Sequence, residues 1–214
     1  MNDGGHLHII GLVSQKGGSG KSTLATNLAV AAAKAKKETM LLDLDPQRTA
    51  EQWYLSRDYD EPTLATLTSN QLPQAIERAR ASKIEWLFID TPGRDEPSIA
   101  AAIRAADFCL IPCRPTPQDM KAIPPTAATL ERLRKPFAFV LTQSPPRGSR
   151  SNEARSGLSI LGPVCPVHIV SRSSFQDASG IGEGVLEFEP DGKAAAEIRS
   201  LWQWLSRHIA KVST

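Results

Sequence analysis

Three short stretches carry residues whose types and spacing suit the handling of a polyphosphate. The first is Gln15–Thr23 (QKGGSGKST), which follows an apolar, β-rich run and precedes an amphipathic one. Glycines at 17, 18 and 20 let the backbone curl until successive N–H groups converge on anionic oxygens, and the amino end of a following helix adds its partial positive charge. In such a phosphate-binding loop Gly17, Gly18, Ser19 and Gly20 form the cradle. Lys21 reaches the β- and γ-phosphates, Ser22 offers its hydroxyl to Mg²⁺, and Thr23 stands beside the α-phosphate. A plain glycine-rich turn does not account for Gly-Lys-Ser in that order between strand and helix. The second stretch, Leu41–Gln47 (LLDLDPQ), sets Asp43 and Asp45 at alternate positions, on one side of an extended chain, although Asp45-Pro46 alone also reads as a loop start. The third, Trp86–Gly93 (WLFIDTPG), is an apolar run ending in Asp90. That pattern fits a strand-end carboxylate holding Mg²⁺ through water, followed by Gly93, whose N–H can approach a γ-phosphate.

No other chemistry competes. His6, His8, His168 and His208 are scattered, without a zinc spacing or a Ser/His/Asp arrangement. Cys109, Cys113 and Cys165 are an odd, sparse set, better suited to a reducing compartment and to buried packing than to disulfides.

The elements that must hold these stretches alternate between apolar runs and amphipathic segments, the pattern of parallel strands joined by crossover helices. Strands are predicted at His8–Val13, Thr39–Asp43, Trp86–Asp90, Phe108–Pro112, Pro136–Leu141 and Val167–Val170, with a weaker one at Thr63–Leu67. Helices are predicted at Ser22–Ala35, Arg48–Ser56, Leu72–Ala81, Ser98–Ala105, Gln118–Leu133 and Ser151–Leu158. In a last helix, Ile198, Leu201, Trp202, Leu205 and Ile209 form a stripe that faces the chain's own core. Strands apolar on both faces point to an α/β fold with a doubly wound, mostly parallel sheet flanked by helices, in a single domain over residues 1–214. The 214 residues suffice for one large core, and 25 Lys and Arg against 23 Asp and Glu give +2, so any attraction to nucleic acid must be local. Between Lys121 and Arg155, seven basic residues face two acidic ones, a local +5. No signal peptide or membrane span is evident, and a cytoplasmic protein is expected.

One departure from the common phosphate-loop form is informative. Position 15 is Gln where Gly is usual, and Lys16 precedes the paired glycines. The run Lys16–Ser22 (KGGSGKS) closely resembles the deviant Walker A box of the ParA/MinD family of dimeric ATPases, and Asp43–Gln47 resembles what ParA-like proteins carry after this strand, while Trp86–Gly93 has the form of a Walker B motif. The stretch from Arg172 to Ile198 is similar to the carboxy-terminal pattern of plasmid-type ParA proteins.

The resemblance implies a P-loop ATPase using ATP and Mg²⁺. Lys16 would reach across a homodimer interface to the partner's nucleotide, Asp45 would orient the attacking water, and Asp43 would support the magnesium and phosphate shell, with Asp90 acting through water. Adenine would lie near Thr142 and Gln143, before the Arg172 helix. Pro112–Asp119 reads as a rigid connection capped by Asp119. The ATP-bound dimer would bind DNA non-specifically, with Arg147, Arg150 and Arg155 as the contacts, and no membrane is expected. With the first strand starting near residue 8, no amino-terminal helix-turn-helix is expected. The implied task is plasmid or chromosome partition with a ParB-like centromere-binding partner, in a nucleoid-associated protein. Positioning of a protein cargo, or a nucleotide-switched assembly in which hydrolysis is incidental, are the alternatives.

Overall fold

The computed structural model describes residues 6–212, with side chains through Ala210. In chain order the elements are β1 (His8–Leu12), α1 (Lys21–Lys34), β2 (Thr39–Asp43), α2 (Thr49–Leu55), β3 (Thr63–Thr66), a 3₁₀ turn (Ser69–Gln71), α3 (Leu72–Ala81) and β4 (Trp86–Asp90). They continue with α4 (Glu96–Ala105), β5 (Phe108–Cys113), α5 (Pro117–Arg132), β6 (Phe137–Leu141), α6 (Arg150–Ser159), α7 (Ser173–Gly180), α8 (Val185–Phe188) and α9 (Lys193–Val212).

The six strands form one sheet in the order β3-β2-β4-β1-β5-β6, and every pairing is parallel. The chain leaves β1 for β2 and β3, returns to β4 beside β1, then crosses to β5 and β6. Such reversals open a ligand crevice at the carboxyl ends of the central strands. Because neighbouring strand residues point to opposite faces, Ile10, Leu12 and Phe88 enter one core with α1 and α9, while Ile9, Val13, Leu87 and Ile89 enter the other with α3, α4 and α5. This double burial explains why the strands read as unbroken apolar runs. The α9 stripe is buried as expected, Ile198, Leu201 and Leu205 at 0% exposure, and Trp202 meets Trp86 edge-on at 4.5 Å. No helix among the described residues is long and apolar enough to cross a membrane.

One predicted strand does not form. Val167–Val170 makes only an isolated bridge through Val170 to Ser144, and Val164 makes another to Phe139. Pro163 and Pro166 lack the N–H groups a continuous ladder needs. The segment instead flanks β6 through intermittent bonds, Cys165 N–H to the Phe139 carbonyl and Ile169 N–H to the Leu141 carbonyl, each 2.8 Å. Helix α4 begins two residues before the predicted start, opened by extended Asp95 with proline in its first turn.

Candidate nucleotide site

The loop between β1 and α1 curls as its glycines permit. Gly18 (φ 72°) and Gly20 (φ 94°) lie in the left-handed region, and Gly20 is the residue from which α1 starts. The Lys21 side chain folds back so that Nζ donates to the Lys16 carbonyl at 3.3 Å. Burial pushes the Lys21 ammonium below its ordinary pKa, opposed by Asp90 and Asp45. The end of β6 braces the loop: the Thr142 hydroxyl donates to the Ser19 carbonyl at 2.7 Å, and Gln143 Nε2 donates to the Gly18 carbonyl at 3.0 Å. On the other side the β4–α4 loop presses on it. A Cβ at Gly93 would lie 2.9 Å from the Gly17 nitrogen, so only glycine sits there without displacing the loop.

Asp43 and Asp90 end neighbouring strands in register, and both are fully buried. Their surroundings differ. Asp43 accepts from the Asp45 N–H at 2.9 Å and from the Glu51 N–H at 3.1 Å, so it shapes the Asp45 loop and caps the first turn of α2. Burial raises its pKa, and these bonds oppose the rise. Neither oxygen of Asp90 has a hydrogen-bond partner. Desolvation raises its pKa to about 7, with Asp43 and Asp45 adding to the rise and Ser22 and Lys21 pulling back; the Ser22 hydroxyl faces the carboxylate without reaching bonding geometry. A buried carboxylate left without donors, beside a lysine and a serine hydroxyl, is an arrangement that a hydrated divalent cation completes. No cluster of three or more His, Cys, Asp or Glu side chains that could hold a metal ion occurs among the described residues. Above Asp90 opens a cleft of about 940 Å³, lined by Gly17–Thr23 except Ser19, by Asp45–Gln47 and Thr49, by Pro92–Asp95 and by Gln143.

The profile of the CobQ/CobB/MinD/ParA nucleotide binding domain matches residues 10–179. The chain belongs to this family. Among relatives, the maintenance of carboxysome distribution protein A of Gloeobacter kilaueensis is 32% identical over 94% of this chain and 93% of its own length. The protein of the same name from Halothiobacillus neapolitanus is 27% identical over 88% and 91%. The fold matches that of the septum site-determining protein MinD of Pyrococcus horikoshii, solved with Mg-ADP, at a TM-score of 0.78 and 16% identity over 96% of this chain and 98% of that one.

In this ParA/MinD-family domain, the cleft brings together most of the residues singled out in sequence. Gly17, Gly18, Gly20, Lys21, Ser22, Thr23, Asp45 and Gln143 all line it, and Asp90 lies beneath Lys21 and Ser22. Asp45 is half-buried and accepts from the Gln47 N–H at 2.9 Å. Gln143 also borders a smaller groove of about 160 Å³, with Thr23, Leu24, Thr142, Arg172 and Phe175. That is where the resemblance puts the base, although the Gln143 amide is engaged with the loop backbone. Arg172 is held by Glu197 of α9 at 2.6 Å.

Lys16 is half-buried and is not among the residues lining the cleft of its own chain. Nearby lies a pair that sequence reasoning missed: Arg114 grips buried Asp119 through two bonds of 2.8 and 3.1 Å, and an Arg114 nitrogen is 4.0 Å from where a Gly18 Cβ would be. Burial pushes the Asp119 pKa up, but Arg114 and Thr116 outweigh it and, with Lys16, hold the carboxyl below its usual range. The cap of α5 is Thr116, whose hydroxyl accepts from the Asp119 N–H, and not Asp119 as expected. Arg147 and Arg150 are exposed, in the loop before α6 and at its first residue. Arg155 is different. Its guanidinium donates to the Cys165 carbonyl at 2.9 Å and the Pro166 carbonyl at 3.0 Å, tying down the segment that replaced the predicted strand. All three cysteines are free and buried, their thiols pushed up to about 12 by burial.

Proposed function

We propose that this ParA/MinD-family protein hydrolyses ATP with Mg²⁺, forms a dimer around the nucleotide, binds DNA non-specifically while dimeric, and uses that cycle to position a cargo. The observation that carries the reading is Asp90, buried without hydrogen-bond donors beside Lys21 and Ser22 beneath the cleft. Bound Mg²⁺ would neutralise phosphate charge and give Asp90 a hydrated cation to hold. The backbone of Gly17–Gly20 cradles the phosphates, Lys21 meets their charge, and Asp45 orients water. The protein does little covalent work. Its contribution is positioning and preorganised charge. Lys16, which does not line the cleft of its own chain, supplies a cation to the nucleotide of the partner. Asp43 acts indirectly, by holding the Asp45 loop in shape.

A protein assembly is the cargo we favour, supported by two relatives that span most of the chain and are named for carboxysome distribution. A plasmid or chromosome with a ParB-like partner is the second reading, favoured by the plasmid-type pattern of Arg172–Ile198. Sedimentation of the purified protein with ADP, ATP and a slowly hydrolysed ATP analogue, with and without DNA of arbitrary sequence, tests the cycle. The expected result is a monomer with ADP, a dimer with the analogue, and co-sedimentation of that dimer with DNA. A protein that stays monomeric when saturated with the analogue refutes the reading. Lys16→Ala should keep monomeric nucleotide binding and lose the dimer. Asp45→Ala should hold the dimer on DNA but fail to distribute cargo; a variant that still distributes it would mean hydrolysis is incidental.

A further inference from the structure

The cleft holds a charged side chain that neither the motifs nor the scheme above uses. Arg94 follows Gly93 in the β4–α4 loop, is exposed, and lines the cleft with Lys21, Ser22 and Asp45. The other charged residues lining the cleft are already engaged. Lys21 donates to the Lys16 carbonyl, Asp45 accepts from the Gln47 N–H, and Asp95 accepts from the Ser98 hydroxyl at the start of α4. Arg94 makes no hydrogen bond or ion pair among the described residues. Asp95, the nearest carboxylate in sequence, accepts from Ser98 and forms no ion pair with Arg94.

Its placement is constrained. Gly93 packs against the Gly17 backbone, so the phosphate loop and the residue after Gly93 cannot drift apart without breaking that contact. Arg94 also lies at one particular end of the site. The smaller groove assigned to the base is bordered by Gln143, Arg172 and Phe175 and does not include Arg94, whereas Arg94 shares the cleft with Asp45, Pro46 and Gln47. A phosphate chain running from a base in that groove past Thr23 and Lys21 would enter the cleft that Arg94 lines. A guanidinium presents donors in a fixed fork that matches two phosphate oxygens, and one with no prior partner gives up no ion pair to make that contact.

We propose that Arg94 binds the terminal phosphate of the nucleotide in its own subunit, so that it distinguishes ATP from ADP and stabilises the charge that develops during transfer to water. This rests on the nucleotide reading above, and the test separates the two. Affinities for ADP and for a slowly hydrolysed ATP analogue are measured by calorimetry on wild type, Arg94→Ala and Arg94→Lys, together with phosphate release and sedimentation. Because the side chain is exposed and unbonded, the nucleotide-free variants should melt with the wild type. Arg94→Ala should weaken analogue binding about tenfold or more while ADP binding changes less than about twofold, and Arg94→Lys should recover part of the loss as a point charge without the fork. Equal weakening for both nucleotides overturns the proposal, as do unchanged affinities with normal turnover, or a defect confined to dimerisation. A wild type that binds neither nucleotide refutes the function itself.

Discussion

The ends of β2 and β4 lie side by side, each closing in a fully buried aspartate, yet they are built for different ends. At the β2 end the fold spends the carboxylate on itself: Asp43 accepts two backbone N–H groups and fixes the turn into α2. At the β4 end Asp90 has no donor and sits near Lys21, whose charge is itself disfavoured by burial. A buried carboxylate without donors costs free energy unless it is protonated or another group completes it. Burial and strand position do not distinguish a structural acid from a chemical one. The hydrogen-bond account does.

Substitutions should separate the two ends. The largest effect is expected for Asp90→Asn, which keeps the shape and removes the charge. Turnover in a phosphate-release assay should fall by about 10²–10³-fold, the scale for loss of a preorganised charge. The nucleotide-free protein should melt higher than wild type. A variant with near-normal turnover would make Asp90 as structural as Asp43.

Next comes pH. The folded Asp90 pKa of about 7 lies above the unfolded carboxylate range near 4, so the fold favours the protonated form. The resulting stability is fully present below about pH 4 and is lost as pH rises through 7. Denaturant melts of the nucleotide-free protein should show a loss on the order of 2–4 kcal/mol between pH 5 and 8. Asp90→Asn should flatten most of that slope and leave a remainder of the same sign from Asp43, whose pKa burial also raises. A slope unchanged by the substitution would place the proton elsewhere.

Asp43→Asn should do the reverse of Asp90→Asn, destabilising the fold by about 1–3 kcal/mol because one N–H loses its acceptor. Equal loss of turnover with unaltered stability would erase the contrast between the two ends. Gly93→Ala tests the wall they share: its methyl would meet the Gly17 backbone, lowering nucleotide affinity by roughly tenfold, the scale of a modest overpacking strain. The smallest effect should come from Arg147→Glu with Arg150→Glu, remote from both acids, which should reduce the salt dependence of DNA binding by about one unit of slope per lost phosphate contact. An unaltered slope removes that surface as the DNA contact.

Much of this was legible in one dimension because the relevant signals are local. Gly18 and Gly20 need conformations that glycine takes readily, strands buried on both faces read as apolar runs, and the α9 stripe repeats with helical period. Val167–Val170 misled because its composition is that of a strand, while flanking Pro163 and Pro166 deny it a ladder. Arg155 read as surface charge because the carbonyls it serves belong to that irregular segment, and the Arg114–Asp119 pair left no motif at all.

What the sequence determined by itself was the phosphate loop, the layered α/β fold and the positions of the acids, since each follows from local backbone preference and periodic burial. Only the tertiary structure decided which partners each acid finds. Whether a buried carboxylate finds N–H donors depends on groups that other elements bring to it, and spacing along the chain carries no record of those partners.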